Sequence, residues 1–286
     1  MRYLRATYVL SVFLLTAAFV IPWQELALRT KSLGWKRLPF LYQRFLMNLF
    51  DIHVTVVGKP IQDRGVLMVS NHTSYMDILI LGGVASVSFV AKAEVAGWAL
   101  FGTFARLQRT VFVERERRSK TGESRDQIKE RLLEGDALIL FPEGTSIDGN
   151  RVLQFKSALM GAAEAVVGTD AQGRPIHVPV QPVSVAYTGV HGLPMGREYR
   201  PFYAWYGDME LVPHLWEALV TGPIDVTVIF HPPMTVDTVG GRKGLAAKAE
   251  AIIRRGQAQA LAGRLPPVAE DSVAPTTPPA LAGAQA

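Results

Sequence analysis

Short apolar runs alternate with stretches of helical spacing along most of the chain, starting at Ile52. Apolar runs of about four to eight residues, bounded by polar or glycine-containing segments, are typical of buried strands. The predicted strands are Val54–Val57, Val66–Ser70, Val87–Val90, Thr110–Val113, Ala137–Phe141, Val178–Ala186 and Val226–Phe230. The predicted helices between them are Met76–Gly83, Ser124–Glu134 and Ser157–Val167. This alternation favours an α/β fold with a mixed, mostly parallel central sheet flanked by helices.

The N-terminal part of the chain has a different pattern. Ala6–Trp23 contains 18 residues without a charge, near the lower limit of about 17–25 that a membrane-spanning helix needs. Leu38–Phe50 carries apolar residues near helical spacing. We therefore expect residues 1–50 to form membrane-associated helices, as a single span or a shallow re-entrant hairpin. The competing interpretations are a signal peptide for the first segment and packing on the domain core for the second.

A last predicted helix, Leu245–Ala262, closes the folded part of the chain. We accordingly expect the α/β domain to span residues 51–263. Residues 264–286 are rich in alanine and proline and hold little apolar bulk. Such a composition does not offset the entropy of ordering, so it predicts a disordered tail.

Charge and composition favour a membrane surface as the partner. The formal net charge is +5, the sequence pI is near 9.5, and basic residues flank the apolar segments. Each lysine or arginine near an anionic membrane contributes about 1 kcal/mol to binding. Nucleic acid is the rival partner of a basic chain, but no nucleic-acid motif is present, so none is expected. The chain has no cysteine, and its histidines lack metal-ligand spacing, so we expect no metal site.

His72 and Asp77 stand five residues apart, just after the predicted strand Val66–Ser70. A histidine titrates near pH ~6.5 and can therefore accept a proton from an alcohol at neutral pH. A carboxylate on its second ring nitrogen would fix the tautomer and stabilise the imidazolium. The alternative interpretation is a helix capped by Asn71 or Ser74. Asn71, or a nearby backbone N–H group, is also a candidate donor to an oxyanion.

Four ordered blocks, which cover about residues 66 to 190, resemble the glycerolipid acyltransferases. This family includes 1-acylglycerol-3-phosphate acyltransferase. The blocks are Asn71–Asp77 (NHTSYMD), Gln108–Arg115, Phe141–Thr145 (FPEGT) and Val178–Val183. The resemblance implies that an acyl chain passes from acyl carrier protein or coenzyme A, as co-substrate, to a lysolipid hydroxyl. In that family the histidine activates the hydroxyl for direct attack, without an acyl-enzyme and without a bound cofactor.

The same resemblance implies which other residues hold the acceptor. The residues of the third block that would bind its head group are Glu143, Gly144 and Thr145. The basic residues that would meet an acidic group are Arg109, Arg115 and Lys156. A solvated charge run is the alternative for Arg115, and the start of the next helix is the alternative for Lys156.

Ser146 distinguishes two possible acceptors. Phosphatidate-forming members usually carry arginine after Glu-Gly-Thr, and Ser146 removes that phosphate contact, although Arg151 is a possible substitute. Ser146–Arg151, together with His191–Gly196 and Trp205–Asp208, resembles the branch that acylates lyso-ornithine lipid. We expect 1-acyl-sn-glycerol-3-phosphate as the acceptor, which would give phosphatidic acid, with lyso-ornithine lipid as the alternative.

Two other functions remain open at this level. In a lipid hydrolase, a distant alternative, the same base would activate water, and in a non-catalytic protein the basic and apolar segments would only bind a membrane. The acyltransferase interpretation implies an enzyme of the inner (plasma) membrane, with its active site at the cytoplasmic face. Its partners would be a membrane lipid and an acyl carrier protein or coenzyme A thioester.

Overall fold

The structure, a computed structural model, describes residues 1–32, 34–114 and 121–265. Its architecture confirms the predicted α/β fold class. The helices are α1 (Arg2–Thr30), α2 (Arg37–Leu49), α3 (Met76–Val84), α4 (Ala99–Leu107), α5 (Thr121–Leu133), α6 (Leu211–Thr221) and α7 (Gly241–Leu261). The strands are β1 (Ile52–Val57), β2 (Val66–Ser70), β3 (Ser88–Lys92), β4 (Val111–Val113), β5 (Ala137–Leu140), β6 (Val166–Thr169), β7 (Pro175–His177), β8 (Val180–Val190), β9 (Leu193–Pro194) and β10 (Ile224–Phe230). The predicted tail lies outside the described residues from residue 266 onward.

The strands form a mixed sheet in the order β1-β10-β8-β2-β5-β3-β4, with β9 paired to β8. Strands β8, β2, β5, β3 and β4 run parallel, whereas β10 is antiparallel to β8 and parallel to β1. The short strands β6 and β7 form a separate hairpin. Since β2 and β5 are parallel neighbours, the loops at their carboxyl ends meet at one edge of the sheet, where such folds bind ligands.

Two hydrophobic cores cover the two faces of the sheet, because successive side chains of a strand point to opposite faces. Met68 of β2 joins Ile80 of α3 in one core. Leu67 of β2 joins Ile128 of α5 and Ile253 of α7 in the other core. All residues of β2 are buried, as expected for a central strand with helices on both faces.

Helix α2 packs on the domain through two glycines of α3. A Cβ atom on Gly82 would lie 1.8 Å from Oε1 of Gln43, and one on Gly83 would lie 2.2 Å from Sδ of Met47. The absence of a side chain at both positions therefore lets the two helices approach closely. The location of α2 agrees with the interpretation of Leu38–Phe50 as a helix that packs on the core.

Helix α1 has a buried side and an exposed side. Ala6 and Val9 pack against α6, and Phe13 packs against α2 and α4. Leu15 and Phe19 are 63% and 76% exposed. Within the described part of the chain, α1 is the helix long and apolar enough to cross a membrane by length and composition. The division between residues 1–50 and the domain over 51–263 stays a prediction.

The predicted helix Ser157–Val167 is wrong at its C-terminal end. A 3₁₀ helix spans Leu159–Glu164, and β6 begins at Val166. The adjacent β-branched Val166 and Val167 favour an extended backbone over a helical one. Every predicted strand is present, whereas α4 and α6 were not predicted.

Candidate active site

The carboxyl ends of β2 and β5 bring the first and third sequence blocks together. The Glu143 carboxylate links two segments, because it accepts hydrogen bonds from the backbone N–H of His72 at 2.8 Å and of Leu153 at 2.9 Å. The backbone N–H of Ile147 donates to the carbonyl oxygen of His72 at 3.3 Å. The loop after β5 is therefore held directly against the histidine.

His72 and Asp77 form the expected pair. His72 Nδ1 lies 2.8 Å from Asp77 Oδ2, and the Asp77 side chain is fully buried in the first turn of α3. The same oxygen accepts the backbone N–H groups of Thr73 at 2.6 Å and Ser74 at 3.0 Å. Asp77 therefore fixes the loop just before α3, and no side chain, Ser74 included, caps this helix with a hydrogen bond. With Nδ1 directed at a carboxylate, Nε2 is the nitrogen that is free to accept a proton.

Two aromatic residues from distant parts of the chain support this pair. The Tyr187 hydroxyl of β8 donates to Asp77 Oδ1 at 2.9 Å. Burial and the charge of Asp77 raise the pKa of Tyr187 well above its usual value, so the phenol stays protonated and remains a donor. The His72 ring stacks on Phe141, with centroids 4.1 Å apart and planes inclined by 19°. These contacts fix the imidazole plane as well as its tautomer.

An apolar pocket of about 410 Å³ adjoins His72. Phe141 and the loop 144–146 also line it at the carboxyl edge of the sheet. Gln108 lines it just before the amino end of β4, so the pocket extends along the sheet toward the opposite edge. Its apolar walls come from α1, α2, α3, α4 and β3 and include Phe13, Val20, Leu46, Leu79, Phe89 and Phe104. This shape and lining suit a hydrocarbon chain whose polar end is at His72.

The third-block residues have two different locations: one holds the surrounding loops, and the other two line the pocket. Glu143 is only 2% exposed and both of its carboxylate oxygens accept backbone N–H groups, so it holds loops together. Burial raises the pKa of Glu143 to about 7, against the effect of its two backbone hydrogen bonds. Gly144 and Thr145 do line the pocket, and Gly144 has the positive φ of 81° that glycine accommodates without strain.

The predicted oxyanion donor Asn71 is engaged elsewhere. Its Nδ2 donates to the carbonyl oxygen of Val185 at 2.8 Å, and its Oδ1 accepts the Val185 N–H at 2.9 Å. The side chain is 1% exposed and is not part of the pocket lining. Asn71 thus connects the end of β2 to β8, and a backbone N–H group is the better candidate for the oxyanion.

The predicted basic contacts do not meet at the pocket. Arg109 precedes β4 at the amino edge of the sheet, opposite to His72, where it pairs with Asp136 at 3.1 Å and Glu134 at 3.3 Å. This location does not fit the predicted contact with an acceptor. Lys156 is exposed and does not line the pocket. Arg115 lies outside the described residues.

Ser146 and a later segment close over the first block. The Ser146 hydroxyl donates to the carbonyl oxygen of Trp205, and the Trp205 N–H donates to the carbonyl oxygen of Thr73 at 3.0 Å. Ser146, Trp205, Tyr206 and Gly207 all line the pocket. The sequence offered one signal of this arrangement, the resemblance of residues 205–208 to one branch of the family, but it did not indicate the contact itself.

Comparison with known proteins shows the family of this chain. A family model described as acyltransferase matches residues 53–186. A lyso-ornithine lipid O-acyltransferase of Brucella abortus is 48% identical over 262 residues, which cover 89% of this chain and 97% of that protein. The chain belongs to the acyltransferase family. It is an enzyme that transfers acyl groups, and the resemblance inferred from its sequence blocks is confirmed.

Other relatives of the acyltransferase differ in the acceptor for which they are named. A lyso-ornithine lipid O-acyltransferase of Rhizobium meliloti is 40% identical and covers 93% of this chain and 88% of its own. A 1-acyl-sn-glycerol-3-phosphate acyltransferase of Neisseria gonorrhoeae is 31% identical and covers 61% and 63%. The crystal structure of a 1-acyl-sn-glycerophosphate acyltransferase of Thermotoga maritima shares the fold, with a TM-score of 0.61, 24% identity and coverage of 91% and 97%. These lipid-acting relatives and the apolar α1 indicate association with a membrane.

Proposed function

We propose that this acyltransferase esterifies the hydroxyl of lyso-ornithine lipid with an acyl group from a thioester of acyl carrier protein or coenzyme A. The observation that carries the chemistry is the 2.8 Å contact between His72 Nδ1 and Asp77 Oδ2 beside an apolar pocket. The acceptor is supported by two relatives that match 89% and 93% of this chain and carry that name. Lyso-ornithine lipid, the alternative acceptor, thus takes the place of 1-acyl-sn-glycerol-3-phosphate, which was first expected from the sequence.

His72 acts as the general base of the transfer. Its Nε2 takes the proton of the acceptor hydroxyl while the hydroxyl oxygen attacks the thioester carbonyl carbon. The Asp77 carboxylate stabilises the imidazolium that forms. The tetrahedral intermediate then breaks its carbon–sulfur bond, and the thiol leaves with the proton from His72. An ester and a free thiol result, so no acyl-enzyme and no bound cofactor are needed.

The remaining parts of the reaction follow from the pocket lining. The apolar walls bind the acyl chain by removing it from water, which contributes about 25 cal/mol per Å² of apolar surface. The backbone N–H groups of Thr145 and Ser146 are the proposed donors to the oxyanion, since the Asn71 amide is engaged. Removal of one such donor typically costs about 3 kcal/mol of transition-state stabilisation.

The surroundings of Ser146 support an acceptor without a phosphate. Ser146 is 8% exposed, and its hydroxyl bonds to the backbone of Trp205. An arginine at this position would lack the hydroxyl that holds Trp205 and would add a positive charge to the pocket lining. The acceptor therefore receives no guanidinium from the position after Glu-Gly-Thr.

We further propose that the enzyme works at the cytoplasmic face of the inner membrane. Acyl carrier protein and coenzyme A thioesters are made in the cytoplasm, and the lipid acceptor is in the bilayer. The exposed side of α1, which includes Phe19 and Trp23, offers apolar surface to the lipid. The pocket beside the same helix can then receive a chain without exposing it to water.

The test is a transfer assay on the full chain in vesicles that contain equal amounts of lyso-ornithine lipid and 1-acyl-sn-glycerol-3-phosphate. With a labelled acyl thioester, mass spectrometry should detect ornithine lipid as the main product. His72→Ala should lower the rate at least a thousandfold, whereas His53→Ala, at a histidine whose side chain is 65% exposed, should not change it. Phosphatidic acid as the main product would overturn the acceptor, and release of fatty acid without an acceptor would indicate a hydrolase.

A further inference from the structure

Two charged segments meet beside the first block and are joined by Asn150. The Asn150 Nδ2 donates to the carbonyl oxygen of Arg197 at 3.2 Å, and its Oδ1 accepts from Arg200 Nη1 at 2.7 Å. We call this surface the charged lip, which consists of Asp148, Arg151, Arg197 and Arg200. It carries one negative and three positive side chains.

The charged lip is attached directly to the loop that carries His72. Ile147, which precedes Asp148, donates its N–H to the carbonyl oxygen of His72 at 3.3 Å. Gly149, which follows Asp148, is so close to the first block that a Cβ atom would lie 3.0 Å from Cγ2 of Thr73. Asp148 is therefore held between two residues that both touch the segment of the proposed base.

The Asp148 carboxylate has no ion pair within the described residues. Its Oδ1 accepts the backbone N–H of Asn150 at 3.1 Å, which shapes the loop. Arg200 of the charged lip is already bound, because Nη2 donates to the carbonyl oxygen of Met195 at 3.3 Å and Nη1 donates to Asn150. Burial and the charge of Arg197 lower the pKa of Arg200, and the charge of Asp148 opposes them. A half-buried carboxylate with remaining lone pairs thus lies two residues after Ser146, which lines the pocket.

We propose that Asp148 binds an ammonium group on the head group of the acceptor and so selects an amino-acid lipid over a phosphate lipid. This inference rests on the proposed function and refines it. An ornithine acylated at one amine keeps a second amine, which is charged at neutral pH, and a carboxylate. The ammonium meets Asp148, and the carboxylate meets the exposed Arg151 and Arg197. A phosphate monoester has no ammonium to offer to Asp148, so this carboxylate gives it no attraction, whereas the amino-acid head group gains one.

Asp148→Asn is the decisive variant, because asparagine keeps the Oδ1 acceptor for Asn150 but loses the negative charge and the second acceptor oxygen. The full chain is assayed in vesicles with two acceptors, lyso-ornithine lipid and the same lipid with its side-chain amine acetylated. We expect Asp148→Asn to raise KM for the first acceptor about tenfold, with kcat changed less than twofold. The acetylated acceptor should have a similarly raised KM with the unchanged enzyme, and the variant should not raise it further. Asp63→Asn, at a surface loop, is the matched control and should match the unchanged enzyme.

Each other outcome has a distinct meaning. An unchanged KM in Asp148→Asn would overturn the ammonium contact, and so would an equal rise of KM with both acceptors. If that equal rise comes with a lowered melting temperature, Asp148 serves the structure of the loop. Activity of the unchanged enzyme on 1-acyl-sn-glycerol-3-phosphate but not on lyso-ornithine lipid would refute the proposed function instead. The two failures are therefore separable within one experiment.

Discussion

At the residue scale, the site depends on a single carboxylate that is saturated with hydrogen bonds. Asp77 binds the His72 imidazole, two backbone N–H groups and the Tyr187 hydroxyl. Each bond restricts the carboxylate, so the imidazole is held in one orientation before any substrate arrives. Preorganisation of this kind reduces the reorganisation that the reaction requires.

Tyr187→Phe tests the contribution of the buried phenol to that orientation. The variant keeps the ring and removes one hydrogen bond to Asp77 Oδ1, so we expect kcat to fall about tenfold with KM unchanged. Steady-state kinetics with lyso-ornithine lipid would measure the change, and thermal unfolding would show a loss of about 1–3 kcal/mol. Tyr8→Phe, at a tyrosine 65% exposed on α1, is the control. An unchanged kcat would mean that the imidazole needs no support from β8.

Glu143 gives the protein a characteristic dependence of stability on pH. Burial raises its pKa from 4.5 to about 7, so between these values the folded protein keeps the proton that the unfolded chain releases. This contribution to the free energy of unfolding is complete below the unfolded pKa and is lost as pH rises through about 7. The loss is on the order of 3 kcal/mol.

Glu143→Gln should remove that dependence, because glutamine does not titrate. Chemical unfolding at several pH values would measure the difference in stability between the two proteins. We expect the unchanged protein to lose stability relative to the variant as pH rises from 4.5 to about 7. A constant difference would mean that Glu143 is ionised in the folded protein throughout.

At the element scale, the sequence predicted what local pattern and parallel pairing determine. The apolar runs Val66–Ser70 and Ala137–Phe141 form adjacent parallel strands, and this pairing brings His72 and the third block together. Tyr187 could not be assigned to the site, because its contact with Asp77 depends on how β8 and α3 pack together. Arg109 was assigned to the acceptor by its block, but a residue before a strand lies at the edge opposite to one after a parallel strand. The local sequence pattern does not show at which edge of the sheet such a residue lies.

The sequence pattern also failed to predict some of the helices. Helix α4 has a short sequence, Ala99–Leu107, with small residues among the apolar ones. Its packing against α1 and α2 arises from contacts of Phe104 with residues distant in the sequence, which the pattern of nine residues does not show. The close packing of α2 on α3 depends in the same way on Gly82 and Gly83, where the informative property is a missing side chain.

At the scale of the whole molecule, one helix offers apolar surface on one side and lines the pocket on the other. The exposed side of α1 offers apolar surface to a bilayer, while Phe13, Val20 and Gln24 line the pocket. Gln24 also donates to the carbonyl oxygens of Trp35 at 2.9 Å and Leu107 at 3.1 Å, which fixes α1 against its neighbours. A helix that served only as an anchor would not need these inward contacts.

Replacing residues 1–31 by an unrelated membrane-spanning helix of equal length separates the two roles. The chimera should still float with vesicles, because the apolar surface remains, but transfer should fall at least a hundredfold, because one wall of the pocket is lost. Vesicle flotation and turnover would be measured on the same preparation. The control is Leu15→Phe combined with Phe19→Leu, which exchanges two exposed apolar residues and should preserve both properties. Full turnover by the chimera would show that α1 is only an anchor and that the other helices enclose the acyl chain without it.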